Sequence, residues 1–467
     1  MEISQLLSAS EGKTLEFKRD LSSPQPVLRT LVAFANTAGG TLIIGQADDG
    51  AIVGVEDVLA EEERLANLIA DSIAPAMMPE IEAVTVEDKS LLLVRVAHWP
   101  GPFYLKDKGP VDGVYVRLGS TNRKADAVML EELGRLHSNS AFDQLPCIGT
   151  SQSDLDMLAV RRWFVGKNRI MDTAALESLG ILVRHGSGLV ASNGGLILFG
   201  NSDVLQRRFP DARLSCARFH GSDKSEFIDR QEMEGLLDAV TDVPKFIARN
   251  TRLASRITGM RRQDISQYPA IAIREVLVNA LAHADYACAG THIFVSIFSD
   301  RLEIQSPGMF PFGMAMEDFK AGVSRIRNRV ICRVLHEAGL MEQWGSGYQR
   351  IVNTCNKDGY PEPEWQELGS CVRVIFRPHP DVPVNVPVNV PVNELVNFAE
   401  LNNRQRWFLE HLQKGRSMKA EDIASEWNIV EKTAKRDIAE LRQKGLIEFV
   451  GAPKTGWYRL VQSKEGK

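Results

Sequence analysis

Between Val382 and Asn393 the chain repeats Val-Pro-Val-Asn three times, and this stretch limits its architecture more than any other. Proline at every fourth position removes a backbone donor, fixes φ and pushes the preceding residue out of the helical region. Neither a helix nor a central strand can run through it. In polyproline II geometry, at roughly 3.1 Å per residue, the repeat reaches about 37 Å. It is expected to act as a spacer, with pairing of the repeats between subunits as the alternative. The 467 residues also exceed one hydrophobic core, since cores stop growing near ~250–300 residues. The expected organisation is a domain at 1–140, a second at 150–380, a linker at 381–397 and a third domain at 398–467.

The hydrophobic fraction of 44% and charged fraction of 25% are those of a globular protein. A net charge of −5 and a pI near 6.1 give no global attraction to nucleic acid, so such binding must use local basic surfaces. Six scattered cysteines without C-x-x-C spacing argue against a disulfide framework or zinc site and predict reduced thiols. No apolar run approaches the ~18 residues of a membrane span, and the first residues lack signal-peptide character. A cytoplasmic protein is expected.

After the repeat, Arg404–Leu412, Lys419–Trp427 and Glu431–Lys444 carry helical apolar spacing, interrupted at Asn428, with Gly445 as a C-cap. Leu446–Val450 and Trp457–Val461 alternate like strands around Gly451-Ala452-Pro453-Lys454. Three helices and a hairpin predict a winged helix-turn-helix. Its third helix would bury Ala434, Ile438 and Leu441. Lys432, Thr433, Lys435, Arg436, Arg442 and Lys444 would then be the candidates for contacting a duplex, with Lys454 at the wing tip. The phrase KTAKRDIAELRQKGLIE resembles bacterial winged-helix regulators. DNA is the expected partner, RNA a second one, and a homodimer the expected assembly. A winged helix used only for protein contacts is the plainer alternative.

In IAIREVLVNALAHADY, Glu275, Asn279 and His283 recur at i, i+4 and i+8, one narrow polar stripe on a helix. Apolar residues surround them, among them Ile271, Ile273, Val276, Leu277, Val278 and Leu281. So apolar a helix is buried, and its polar stripe must face a pocket, water or partners. An asparagine oxygen can coordinate Mg2+ and a nearby glutamate can polarise water, the requirements of nucleotide hydrolysis. The stripe resembles the N-box of the histidine-kinase-like (GHKL) ATPases. With DRLEIQSPG and EQWGSGYQRI downstream, it is most similar to the divergent ATPase-like domain found beside Schlafen-type domains in bacteria. The resemblance implies an α/β sandwich that binds ATP and Mg2+. Glu275 would be the base and Asn279 the metal ligand, His283 and Ser306 would lie at the nucleotide, and Gly308, Gly345 and Gly347 would border it. Ser306 stands where the superfamily has its adenine-reading aspartate, so adenine specificity does not follow. No G-x-x-x-x-G-K-[ST] is present, which excludes a P-loop. A degenerate domain that binds no nucleotide is the alternative.

Near the start, EGKTLEFKRDL predicts a strand with Leu15 and Phe17 inward and Glu16 and Lys18 outward. AFANTAGGTLIIG follows as a helix to Asn36, a Gly39-Gly40 turn and a strand, then a hairpin turning at Asp48-Asp49-Gly50. VYVRLGSTNRKAD reads as a strand and a basic loop bearing Arg117, Arg123 and Lys124, candidate nucleic-acid contacts. A helix at Leu130–His137 closes the region. These phrases resemble the Schlafen-type AlbA domain. In animal relatives two glutamates five apart and a later aspartate form an RNA-cutting site. By that resemblance Glu11, Glu16 and either Asp48 or Asp49 would hold a divalent ion that activates water, with Lys18 at the scissile phosphate. The plainer reading is an ordinary strand face and a normal Asp-Asp-Gly turn.

The expected fold is α+β multidomain: an AlbA-like α+β domain, a GHKL-like α/β sandwich and a winged helix-turn-helix. The leading expectation is an ATP-responsive, DNA-binding transcriptional regulator. The rival is a metal-dependent nuclease acting on RNA or tRNA in stress or phage defence, and a third reading is an oligomeric scaffold that binds no nucleotide.

Overall fold

The computed structural model describes residues 3–167, 170–233, 235–258, 261–341, 347–382, 402–413, 418–427, 429–443, 447–450 and 457–460. The chain forms two compact units, 1–384 and 385–467, and each is described by itself.

In the first unit, the N-terminal region runs β1 (Leu15–Lys18), α1 (Pro24–Asn36), β2 (Gly40–Ile44), α2 (Val58–Ser72), β3 (Glu80–Val86) and β4 (Lys89–Val96). It continues through β5 (Tyr115–Leu118), β6 (Thr121–Lys124) and α3 (Ala127–His137). Four strands pair in the order β1-β2-β4-β3, with β1 and β2 parallel and the rest antiparallel. The period of two along β4 explains the layering. Leu92 and Val94 join Leu42 and Ile44 under α1 and α2, while Leu91 and Leu93 join Leu6, Leu15, Phe17 and Ile43 on the other face. Gly39 makes the turn between α1 and β2 at φ +75°; a side chain there would meet the Val96 carbonyl at 2.7 Å.

Two expectations are corrected here. The turn at Asp48-Asp49-Gly50 opens no ladder, because it closes on a single Gln46–Ile52 bridge and β2 finds its antiparallel partner in β4. Residues 115–124 form the hairpin β5–β6 rather than a strand and a loop.

The middle region contains β7 (Leu214–Phe219), β8 (Phe227–Met233), α4 (Ala239–Asn250), β9 (Leu253–Thr258), β10 (Arg261–Ser266) and α5 (Ala270–His283). It ends with β11 (Ile293–Ile297), β12 (Leu302–Pro307), α6 (Arg329–Glu337), α7 (Gly347–Asp358), β13 (Glu364–Leu368) and β14 (Cys371–Phe376). Six strands pair in the order β8-β7-β11-β12-β14-β13, all antiparallel except β7 and β11. Helix α5 lies on β12 and alongside α7, burying Val276, Leu277 and Leu281 in one large core. Ile271, in the first turn, is 62% exposed.

The two regions are stitched together. Asp143, in the connection between them, accepts the backbone N–H groups of Arg329, Val330 and Ile331 at 3.0, 2.6 and 3.0 Å, satisfying orphan donors at the start of α6. Burial pushes its carboxyl up to about 6, against the pull of those three donors. Met309 and Phe312, from the segment after β12, are buried with Val114, Val116 and Leu133 of the N-terminal region.

The second unit comprises α8 (Asn403–Gln413), α9 (Ala420–Glu426), α10 (Glu431–Gln443) and the antiparallel pair β15 (Ile447–Val450) and β16 (Trp457–Leu460). Its core gathers Phe408, Leu412, Ile423, Ala434, Ile438, Leu441 and Ile447. Asp437, buried on α10, receives Arg404 Nε at 2.7 Å and Asn402 Nδ2 at 3.0 Å. The repeat beyond Val382, and also Gly345, Lys444, Gly445 and Lys454, lie outside the described residues. Among the described residues no helix is long and apolar enough to cross a membrane.

Candidate functional site

Helix α5 buries most of its surface and leaves Glu275, Asn279 and His283 half-buried along one side. All three line a cavity of about 980 Å³. The first residue of α7 closes on the stripe: a Cβ on Gly347 would sit 3.0 Å from Glu275 Oε1 and 3.4 Å from Asn279 Nδ2. Arg350 Nη2 lies 3.8 Å from Glu275 Oε1. His283 Nδ1 is buried without a hydrogen-bond partner. Burial, and then the charge of Arg327, lower its pKa to about 4, so the imidazole is neutral at physiological pH.

Ser306 and Gly308 also line the cavity. Ser306 pairs with Val372 across β12 and β14. Gly308 adopts φ +92°, and a Cβ there would meet Arg327 Nη1 at 2.5 Å and Asp285 Cβ at 2.8 Å, so only glycine fits. The expected residues Glu275, Asn279, His283, Ser306, Gly308 and Gly347 therefore share one pocket.

The sequence did not point to the residues that give this pocket its charge. Arg135, Arg325, Arg327, Arg329 and Arg333 all line it, against the carboxylates of Glu132, Glu275 and Asp285. Arg327 donates to the carbonyls of His283 (3.0 Å) and Met309 (2.9 Å) and to Glu132 Oε1 (3.2 Å). The signal available was the run Ser-Arg-Ile-Arg-Asn-Arg at 324–329, cationic and close behind Ser306-Pro307-Gly308. Such a wall suits a phosphorylated ligand. Mg2+ typically takes one or two protein oxygens, keeps several waters and shares a substrate phosphate. Glu275 and Asn279, one turn apart with Gly347 against both, offer that donor set.

The N-terminal carboxylates are arranged otherwise. Glu16 is 6% exposed; it points inward, and its carboxylate is held by Arg117 and Lys18. Arg117, expected on a surface loop, is wholly buried on β5, where it also donates to Gly12 O and Asn122 Oδ1, each at 3.0 Å. Glu11 accepts the Phe17 N–H at 3.0 Å, and Asp49, exposed beside Asp48, accepts the Ala51 N–H at 3.0 Å. Among the described residues no group of three or more His, Cys, Asp or Glu side chains is placed to hold a metal ion. Arg123 and Lys124 are exposed on β6, the latter paired with Asp112. In the second unit Lys432, Lys435, Arg436 and Arg442 are exposed on α10, Thr433 is half-buried, and Lys435 pairs with Glu431 at 2.7 Å.

Residues 11–126 match the family described as Schlafen, AlbA_2. The N-terminal domain is a Schlafen AlbA_2 domain. Behind the AlbA_2 domain, residues 290–376 match the HATPase_c_4 family, described as "Putative ATP-dependent DNA helicase recG C-terminal". That match contains Ser306, Gly308, Arg327 and Gly347 and begins after α5. The chain is similar to the solved N-terminal domain of a RecG-related protein from Nitrosomonas europaea, at 30% identity over 26% of this chain and 90% of that one, with a TM-score of 0.21. It is also similar to the DIP2311 protein of Corynebacterium diphtheriae, at 22% identity over 98% of this chain and 95% of that one, with a TM-score of 0.43.

Proposed function

We propose that this chain is a nucleotide-responsive, DNA-binding regulator of transcription. The observation that carries the reading is the stripe of Glu275, Asn279 and His283 facing one arginine-rich cavity, with Gly347 packed against the first two. Bound Mg2+ would neutralise phosphate charge there. Asn279 and Glu275 would hold it, and Glu275 could also orient a water. His283 Nδ1, buried and unpaired, would gain a partner from a polar ligand. The HATPase_c_4 match supports an ATP-related pocket, and the AlbA_2 match supports nucleic-acid binding. Three helices followed by a hairpin in the second unit support a winged helix that would place α10 in the major groove. Glu16 is engaged by Arg117, which favours binding over cutting in the AlbA_2 domain.

The test uses the full chain. Mg-ATP at a hundred times its Kd should stabilise the wild type by about 2.7 kcal/mol, and Asn279→Ala should show no such gain in a thermal melt. Equal stabilisation of both proteins would reject the assignment of Asn279. The same preparations, used to select DNA fragments with and without Mg-ATP, should recover specific sites whose occupancy changes with nucleotide. Failure to retain any sequence above bulk DNA would reject the regulator.

A further inference from the structure

One wall of the cavity belongs to the AlbA_2 domain. His98 follows β4 and lines the pocket. Its Nδ1 lies 2.9 Å from the carbonyl of Ala35 near the end of α1, so Nδ1 is the donor and Nε2 carries a lone pair. Beside it lies Arg325, exposed and without a hydrogen bond or ion pair among the described residues. The two side chains converge on Gly313. A Cβ there would lie 2.4 Å from His98 Cδ2, the carbon bonded to Nε2, and 2.7 Å from Arg325 Cζ. Only glycine, at φ +84°, lets the imidazole and the guanidinium lie side by side against this backbone. The Gly313 N–H donates to the carbonyl of Thr37, and neighbouring Phe312 is buried against Val116 of β5 and Val114 just before it. The backbone on which the two side chains lie is thus fixed by the AlbA_2 domain.

Burial, and to a lesser degree the charge of Arg325, hold His98 neutral, with a pKa near 4. A guanidinium with no ion pair among the described residues, beside a neutral imidazole on the wall of the cavity, matches a group that carries negative charge and can also donate a proton. A terminal phosphate does both. Its second ionisation falls near ~6, so it can present P–OH to Nε2 while its charged oxygens accept from the guanidinium.

We propose that His98 and Arg325 receive the terminal phosphate of the nucleotide, so that the ligand site is completed by the AlbA_2 domain. This rests on the nucleotide reading of the pocket. Occupancy would draw together β4 of one domain and the 308–325 segment of the other. That segment packs on β5, whose hairpin partner β6 presents Arg123 and Lys124.

Calorimetric titration of the full chain with Mg-ATP, AMP, adenosine and inorganic tripolyphosphate tests it. Arg325→Gln should weaken Mg-ATP and tripolyphosphate by about tenfold or more, the usual scale of a charge-assisted contact, and leave adenosine within about twofold of wild type. His98→Asn keeps an amide donor for the Ala35 carbonyl and removes Nε2; it should weaken Mg-ATP by a smaller factor, again sparing adenosine, with an unchanged melting temperature. Wild-type affinity for Mg-ATP in both variants overturns the inference and leaves the nucleotide reading standing. Equal losses for ATP and adenosine together with a lowered melting temperature also overturn it, because the two residues would then only support the fold. A wild type that takes up none of the four ligands overturns the nucleotide reading and this inference with it.

Discussion

Arg117 is the largest fully buried side chain among the described residues, and its guanidinium reaches Glu16, Gly12 O and Asn122. Removing one partner of a buried, hydrogen-bonded pair leaves the other charged and desolvated, a loss of about 3–5 kcal/mol. Arg117→Ala is expected to lose that much in equilibrium denaturation, and a change within about 0.5 kcal/mol, the scale of a neutral surface substitution, would contradict a structural pair. Any loss of nucleic-acid cleavage in Glu16→Ala must therefore be read beside its melting curve. Strand alternation correctly placed Leu15 and Phe17 inside, but it sent Glu16 outward. The periodicity of β1 cannot register a hairpin that arrives 101 positions later and covers the second face.

At the scale of elements, α5 was legible because its information is local. Three polar residues at four-residue spacing in an otherwise apolar helix can lie only on one side, and the structure turns that side to the cavity. His98, Glu132 and Arg325 were illegible for the opposite reason: each sits on a different segment, and only the packing of 308–314 against β5 brings them to one wall. Helix α7 supplies the complementary element. Its Gly347 comes so near Glu275 and Asn279 that an added methyl would push the carboxylate by a few tenths of an ångström. Gly347→Ala should cost at least about tenfold in Mg-nucleotide affinity, the penalty of a displaced charged ligand, with little change in melting temperature. Unaltered titrations would show that the contact between α7 and the stripe does not shape the site.

For the whole molecule, a net charge of −5 means that contact with DNA must be a local affair. Lys432, Arg436 and Arg442 lie exposed on α10, whereas Lys435 is already partnered by Glu431. Arg436→Ala should weaken operator binding and lower the slope of log affinity against log salt by about 0.9, the loss of one phosphate contact. Binding measured across a salt series that superimposes on wild type would remove Arg436 from the interface. The order of α8, α9, α10 and the hairpin was readable from apolar spacing alone, since this small unit is built from contacts close in sequence. The burial of Met309 and Phe312 beneath β5 has a different kind of consequence. A lineage could not trade this N-terminal module for a relative's without also inheriting the 308–314 segment that fits it, so the two modules should pass through recombination as one piece and accumulate paired changes at 114, 116, 309 and 312.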